Sequence, residues 1–109
     1  MKYISLQLKE KNSKKFSFVR EGQALEGFVV HFRGKFYAYL NLCRHMTLPL
    51  DWGDEDFFTE DKKFVICRNH GAVYKPATGL CVAGPCAGLS LEKLQVEQKD
   101  GKIYIQPEA

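Results

Sequence analysis

Apolar and polar residues alternate along Tyr3–Leu8, the period expected of a strand with one buried face. Gly27–Phe32 and Lys35–Leu40 are β-rich runs separated by Arg33-Gly34, which reads as a two-residue hairpin. Lys63–Cys67 predicts a short apolar strand. Leu94–Lys99 and Lys102–Gln106 flank Asp100-Gly101, among the strongest hairpin signals a sequence can carry. Helical periodicity is weak throughout. Its best candidate is a single turn at Ser90–Leu94, with Ser90 as the cap ahead of Glu92 and Lys93. Short strands separated by turns predict an all-β architecture, a sandwich or small barrel. From about Asn41 to Gly88 the rhythm breaks into Gly, Pro, Cys and His, and a long stretch of that kind is where chemistry concentrates.

The 109 residues are enough for one domain, 1–109, with no internal repeat or low-complexity linker. No apolar run approaches the length of a membrane span, and the polar start argues against a secretory signal, so a cytoplasmic location is expected. In that compartment four cysteines point to metal or redox chemistry rather than to a disulfide framework. The net charge of +3 hides two segments of opposite sign. Lys2, Lys9, Lys11, Lys14, Lys15 and Arg20 crowd residues 1–20, whereas Asp51, Asp54, Glu55, Asp56, Glu60 and Asp61 fill 51–61. Solvated faces explain them more simply than a docking site for a redox partner. Neither segment interleaves bases with aromatics, which argues against nucleic acid as a partner.

Two short units stand out within the irregular stretch: Cys43-Arg44-His45 and Cys67-Arg68-Asn69-His70-Gly71. Each pairs a thiol with an imidazole, and 21 residues separate His45 from Cys67. Two cysteines on one iron and two histidines on the other would hold a [2Fe–2S] cluster. Zinc sites space a cysteine pair and a histidine pair separately, a pattern these mixed units fit poorly. A zinc site, or no metal, remains the alternative. Gly71 suits a place where a side chain would crowd backbone approaching a cluster.

Cys-x-His followed by Cys-x-x-His-Gly resembles the motif of the Rieske family, and the resemblance extends along nearly the whole chain. Pro49-Leu50 after the first unit is similar to the family's His-x-x-x-Pro-Leu segment. Tyr74 with Pro76-Ala77-Thr78-Gly79 is similar to its Tyr-Asp-x-x-Thr-Gly turn, and Gly84-Pro85 to its proline loop. The resemblance implies that Cys43 and Cys67 bind one iron of a Rieske-type [2Fe–2S] cluster, while His45 and His70 bind the outer iron. It also implies three stacked antiparallel sheets with a small cluster-binding subdomain at about 41–88. The separation of the two units is longer than the family usually shows, with the excess in Asp51–Asp61. Closing a longer loop costs little.

The high-potential respiratory members join their cluster loops by a disulfide whose cysteines would fall at Leu48 and Asn69. They also carry a serine, donating to a cluster sulfur, where Ala72 stands here. Without these devices the reduced state is less favoured, so a potential in the lower half of the roughly −150 to +300 mV Rieske span is expected. Tyr74 retains a hydroxyl able to reach a cysteine sulfur. His31, inside an expected strand, is read as a packed histidine, which leaves no second iron site and no enzyme in the chain itself. The resemblance therefore implies a soluble Rieske-type ferredoxin passing one electron from a flavin reductase to an oxygenase. The alternatives are a small accessory subunit of a larger reductase, similar to that of nitrite reductase, or a zinc-stabilised interaction module. Trp52, Phe57 and Phe58 are expected in the core. Cys81 and Cys86 flank the proline loop as free thiols or as a disulfide, with both readings open.

Overall fold

A computed structural model describes residues 4–6, 8–42, 48–51, 53, 56–69, 71–99 and 102–106. Among the described residues nine strands follow one another: β1 Ile4–Leu6, β2 Ser13–Arg20, β3 Gln23–Phe32, β4 Lys35–Leu40, β5 Val65–Ile66, β6 Val73–Tyr74, β7 Cys81–Ala83, β8 Lys93–Lys99 and β9 Lys102–Gln106. No helix occurs among the described residues. Every pairing is antiparallel. β1-β9-β8 and β4-β3-β2 are two three-stranded sets joined where β4 meets β8, through Ala38–Leu94 and Tyr39–Lys93. β5-β6-β7 forms a separate sheet. The three expected sheets are thus present, two of them continuous with each other.

Local conformation explains the tight connections. Glu21-Gly22 and Arg33-Gly34 both have two consecutive positive φ angles, the primed-turn geometry whose twist matches that of paired strands. The registers Arg20–Gln23 and Phe32–Lys35 close directly over these turns. Lys99 likewise pairs with Lys102, while Asp100 and Gly101 lie outside the described residues. The helical turn expected at Ser90–Leu94 is absent. Ser90 instead forms a β-bridge with Leu80, and the chain runs extended into β8, so sheet pairing overrides the weak local signal.

β3 is apolar without alternation at Phe28-Val29-Val30 because both of its faces are covered. Phe28, Val30 and Phe32 point to one core with Tyr39, Leu50, Phe57, Phe58, Val65, Cys67 and Tyr74. Val29 points the other way, to Phe16, Ala38, Leu94, Ile103 and Ile105. The first core is the floor of the small sheet, and Phe57 and Phe58 lie in it as expected. Phe57 stacks on Phe28 with centroids 4.1 Å apart. The extra length between the two motif units therefore adds aromatic packing rather than a bare loop. Phe58 bridges to Val65, and the turn at Thr59–Lys62 closes on Thr59. Trp52 lies outside the described residues. His31 is packed: its Nδ1 donates to the Leu8 carbonyl at 2.9 Å, and its ring stacks on Phe36.

Tyr39 couples the large sheet to the small one. Its ring is fully buried, and its hydroxyl donates to the Pro76 carbonyl at 2.6 Å, between β6 and β7. Gly79 closes the same turn at φ +77, and a Cβ there would sit 2.7 Å from the Tyr39 ring. Burial, with a smaller push from Tyr37, raises the Tyr39 hydroxyl well above the ordinary tyrosine range. The folded state thus favours the neutral phenol. That contribution is intact below the unfolded value of about 10 and is lost as pH rises beyond it toward the folded value. Tyr39→Phe is expected to cost about 1–2 kcal/mol at neutral pH, because it strands the Pro76 carbonyl. Its urea midpoint should then fall less steeply than that of the native chain above pH ~10. Parallel alkaline slopes in urea titrations would show that Tyr39 has no such role.

Candidate metal centre

Cys67 follows the short strand β5 directly and is fully buried. Its N–H donates to the Ala72 carbonyl, and its own carbonyl accepts from Gly71 N–H, both at 2.8 Å. These two bonds bring Gly71 and Ala72 back onto Cys67. Gly71 sits at φ +72, with no described atom within 4 Å of where a Cβ would stand. Glycine is therefore needed at that turn for its left-handed backbone, not because protein crowds the position.

The first motif loop is closed by Asn41, which is 2% exposed. Its N–H donates to Glu26 O, its Oδ1 accepts from Leu50 N–H at 2.9 Å, and its Nδ2 donates to Asp51 Oδ1 at 3.2 Å. One side chain thus joins the residues on either side of the loop. Burying the Asp51 carboxylate is costly unless it is compensated. Lys15 of β2 supplies the charge, with Nζ 3.3 Å from Asp51 Oδ2, and Gly53 N–H adds a further donor. The basic and acidic segments of the sequence therefore meet inside the fold. Asp56 is likewise engaged, by Arg68 at 3.0 Å and by Lys62 at 3.9 Å.

The two motif loops are tied to each other. Arg68 N–H donates to Leu50 O at 2.8 Å, and Asn69 Nδ2 donates to Pro49 O at 2.7 Å. Asn69 occupies one of the two positions where the respiratory members carry a bridging cysteine, and here its amide makes the link. Arg68 extends it, donating through Nε to Asp56 O and through Nη2 to Phe58 O. The proline loop forms a third wall. Gly84 lies so close to the second loop that a Cβ would come within 2.8 Å of Ala72 Cα. Among the described residues the Tyr74 hydroxyl stands 3.0 Å from the sulfur of Cys86, a cysteine outside the expected ligand set.

Of the four ligands expected from the sequence, the described residues include Cys67; Cys43, His45 and His70 lie outside them. A thiolate in apolar surroundings is unfavourable unless a cation neutralises it. Cys67 shares its buried cluster with Leu50, Val65 and Ala72, a setting suited to a metal-bound sulfur. With both loops tied edge to edge above it, the residues present fit a cluster held from two sides.

Comparison with known families gives a match over residues 4–102 to the Rieske [2Fe-2S] domain. The chain belongs to that family. Its cofactor is accordingly a Rieske-type [2Fe–2S] cluster, which removes the zinc alternative. Among solved structures this Rieske chain resembles the ferredoxin of carbazole 1,9a-dioxygenase from Nocardioides aromaticivorans IC177. That match has 28% identity and a TM-score of 0.68, covering 93% of this chain and 89% of that one. A chain from the complex of reduced oxygenase and oxidized ferredoxin in carbazole 1,9a-dioxygenase matches at 24% identity and TM-score 0.72, with 91% and 92% coverage. The terminal oxygenase of carbazole 1,9a-dioxygenase from Novosphingobium sp. KA1 shares the fold at 17% identity and TM-score 0.75. There the match covers 98% of this chain but 30% of the oxygenase. Comparison with curated proteins finds no match. Among the described residues no helix is long and apolar enough to cross a membrane.

Asn41→Ala removes a buried acceptor and a buried donor at once, leaving Leu50 N–H and the Asp51 carboxylate short of a partner. A loss of about 2–4 kcal/mol in urea unfolding is expected, from two buried groups at roughly 1–3 kcal/mol each with partial relaxation. A change below about 0.5 kcal/mol, the usual range of an inconsequential surface substitution, would mean that Asn41 does not close the loop.

Proposed function

We propose that this Rieske domain is a one-electron carrier, not itself an enzyme, whose cluster is held by Cys43 and Cys67 on one iron and by His45 and His70 on the other. The pair of contacts that ties the motif loops together, Arg68 to Leu50 and Asn69 to Pro49, carries this reading. It brings the stretches next to both Cys/His units to one edge, as a ligand set shared between two loops requires. When bound, the cluster supplies reversible one-electron chemistry. The chain's part is to fix the ligands, exclude water from the sulfur side and set the potential. Cys67 and Ala72 are fully buried, so the inner side is dry. The histidine ligands are assigned the outer side, where a short path to a partner is available.

The acceptor we assign is an oxygenase and the donor a flavin reductase, both in the cytoplasm. Support comes from the full-length match to a dioxygenase ferredoxin, which covers nine-tenths of either chain. Reduction by a flavin reductase with nicotinamide cofactor, followed by loss of one electron to added oxygenase, is the direct test. A carrier that dithionite reduces but that no such reductase or oxygenase touches would overturn the assignment.

Ala72 offers no hydroxyl, and an amide contact at Asn69 stands where a disulfide links the respiratory loops. A potential in the lower half of roughly −150 to +300 mV is expected in redox titration. Ala72→Ser, which adds a donor beside the second loop, should move it upward. A native potential near the upper end, or no shift in the variant, would contradict this account of the tuning.

A further inference from the structure

Cys81 and Cys86 stand outside the proposed ligand set, and their placement is specific. Cys81 lies in β7 and Cys86 follows Gly84-Pro85. Both side chains are buried, while residues 82–85 and 87–89 around them are exposed. Backbone bonds hold the two cysteines face to face. Cys81 N–H donates to Leu89 O, its carbonyl accepts from Gly88 N–H, and Leu89 N–H donates to Cys86 O. The sulfurs are 3.4 Å apart, with Cys86 donating to Cys81 and Cys81 donating to Ala83 O at 3.2 Å. Tyr74 Oη stands 3.0 Å from the Cys86 sulfur, and donating to it would stabilise the thiolate.

We propose that Cys81 and Cys86 form a second redox site in this chain, a two-electron thiol–disulfide pair oxidised by hydrogen peroxide. One thiolate attacks the peroxide, the O–O bond breaks, and a sulfenic acid and one water result. The other thiol then displaces the sulfenic oxygen as a second water, forming the S–S bond. Two thiols and one peroxide become one disulfide and two waters, with two electrons passing from sulfur to oxygen. The sulfurs need to close by about 1.3 Å to reach bonding distance. The residues between and after the two cysteines, 82–85 and 87–89, are exposed, so the pair lies near the protein surface. The bridge closes a ring over Gly84, whose backbone lies against Ala72. It thereby braces the proline loop where that loop packs against the second motif loop. The inference rests on the proposed ligand set only in that Cys81 and Cys86 stand outside it.

The test uses the holoprotein treated with graded peroxide, with the cluster followed by its visible absorption. Samples are then denatured, alkylated and digested with trypsin. Peptide 69–93 holds Cys81 and Cys86 and no other cysteine. The expected result is an unalkylated peptide two mass units lighter at doses that leave the cluster absorption intact, restored to two alkylated thiols by dithiothreitol. Cys86→Ser should instead leave Cys81 alkylated or over-oxidised with no intrapeptide bridge. The proposal is overturned if both thiols stay alkylatable until the cluster bleaches, or if either pairs with Cys43 or Cys67 instead.

Discussion

A single backbone hydrogen bond, Arg68 N–H to Leu50 O, carries more of this structure than its length suggests. The two Cys/His units are far apart in the chain, and the proposed sharing of one cluster between them requires their loops to lie edge to edge. That bond and the neighbouring Asn69–Pro49 contact set the spacing. Everything beneath supports it: the Cys67 loop is closed by its own pair of bonds, and the aromatic floor of Phe28, Phe57 and Tyr39 keeps both loops from sinking. A net hydrogen bond contributes only about 1 kcal/mol. Its effect here is positional.

Charge enters the same frame from below. Asp51 is a buried carboxylate that would be costly alone. Placed between Lys15 and Asn41, it links β2 to the closure of the first loop. Breaking a buried pair by removing one partner costs several kcal/mol, whereas the intact pair adds little over an apolar substitute. The arrangement therefore acts on the geometry of the loop more than on global stability. Arg68 does the same for the longer inter-motif segment, with its guanidinium spread over Asp56 and Phe58.

Much of this was legible in the sequence where local signals and tertiary contacts agree. β4 and β9 carry their predicted bounds, because β-rich composition and the turn residues beside them point the same way. β2 was hidden: Lys14 and Lys15 make it look like a charged run, and Lys15 faces inward only because Asp51 meets it there. β6 and β7 are two and three residues long, too short to show a period. At the site, the Cys/His units drew the reading because metal coordination restricts residue type, and the proposed ligand set rests on them. Asn41 and Asn69 were not legible, since what an amide contacts depends on elements distant in the chain. Tyr74 was expected to tune a ligand cysteine, whereas among the described residues its hydroxyl meets Cys86, a contact that depends on the fold of the proline loop.

The central claim is that one cluster takes two nitrogens and two sulfurs from this chain. Pulsed EPR of the dithionite-reduced protein tests it most directly, with iron and sulfide assayed on the same sample. Two irons per chain and hyperfine couplings from two imidazole nitrogens, one lost in His45→Cys and the other in His70→Cys, are the predicted result. A [2Fe–2S] signal with no nitrogen coupling, or couplings that survive both substitutions, would contradict the ligand set.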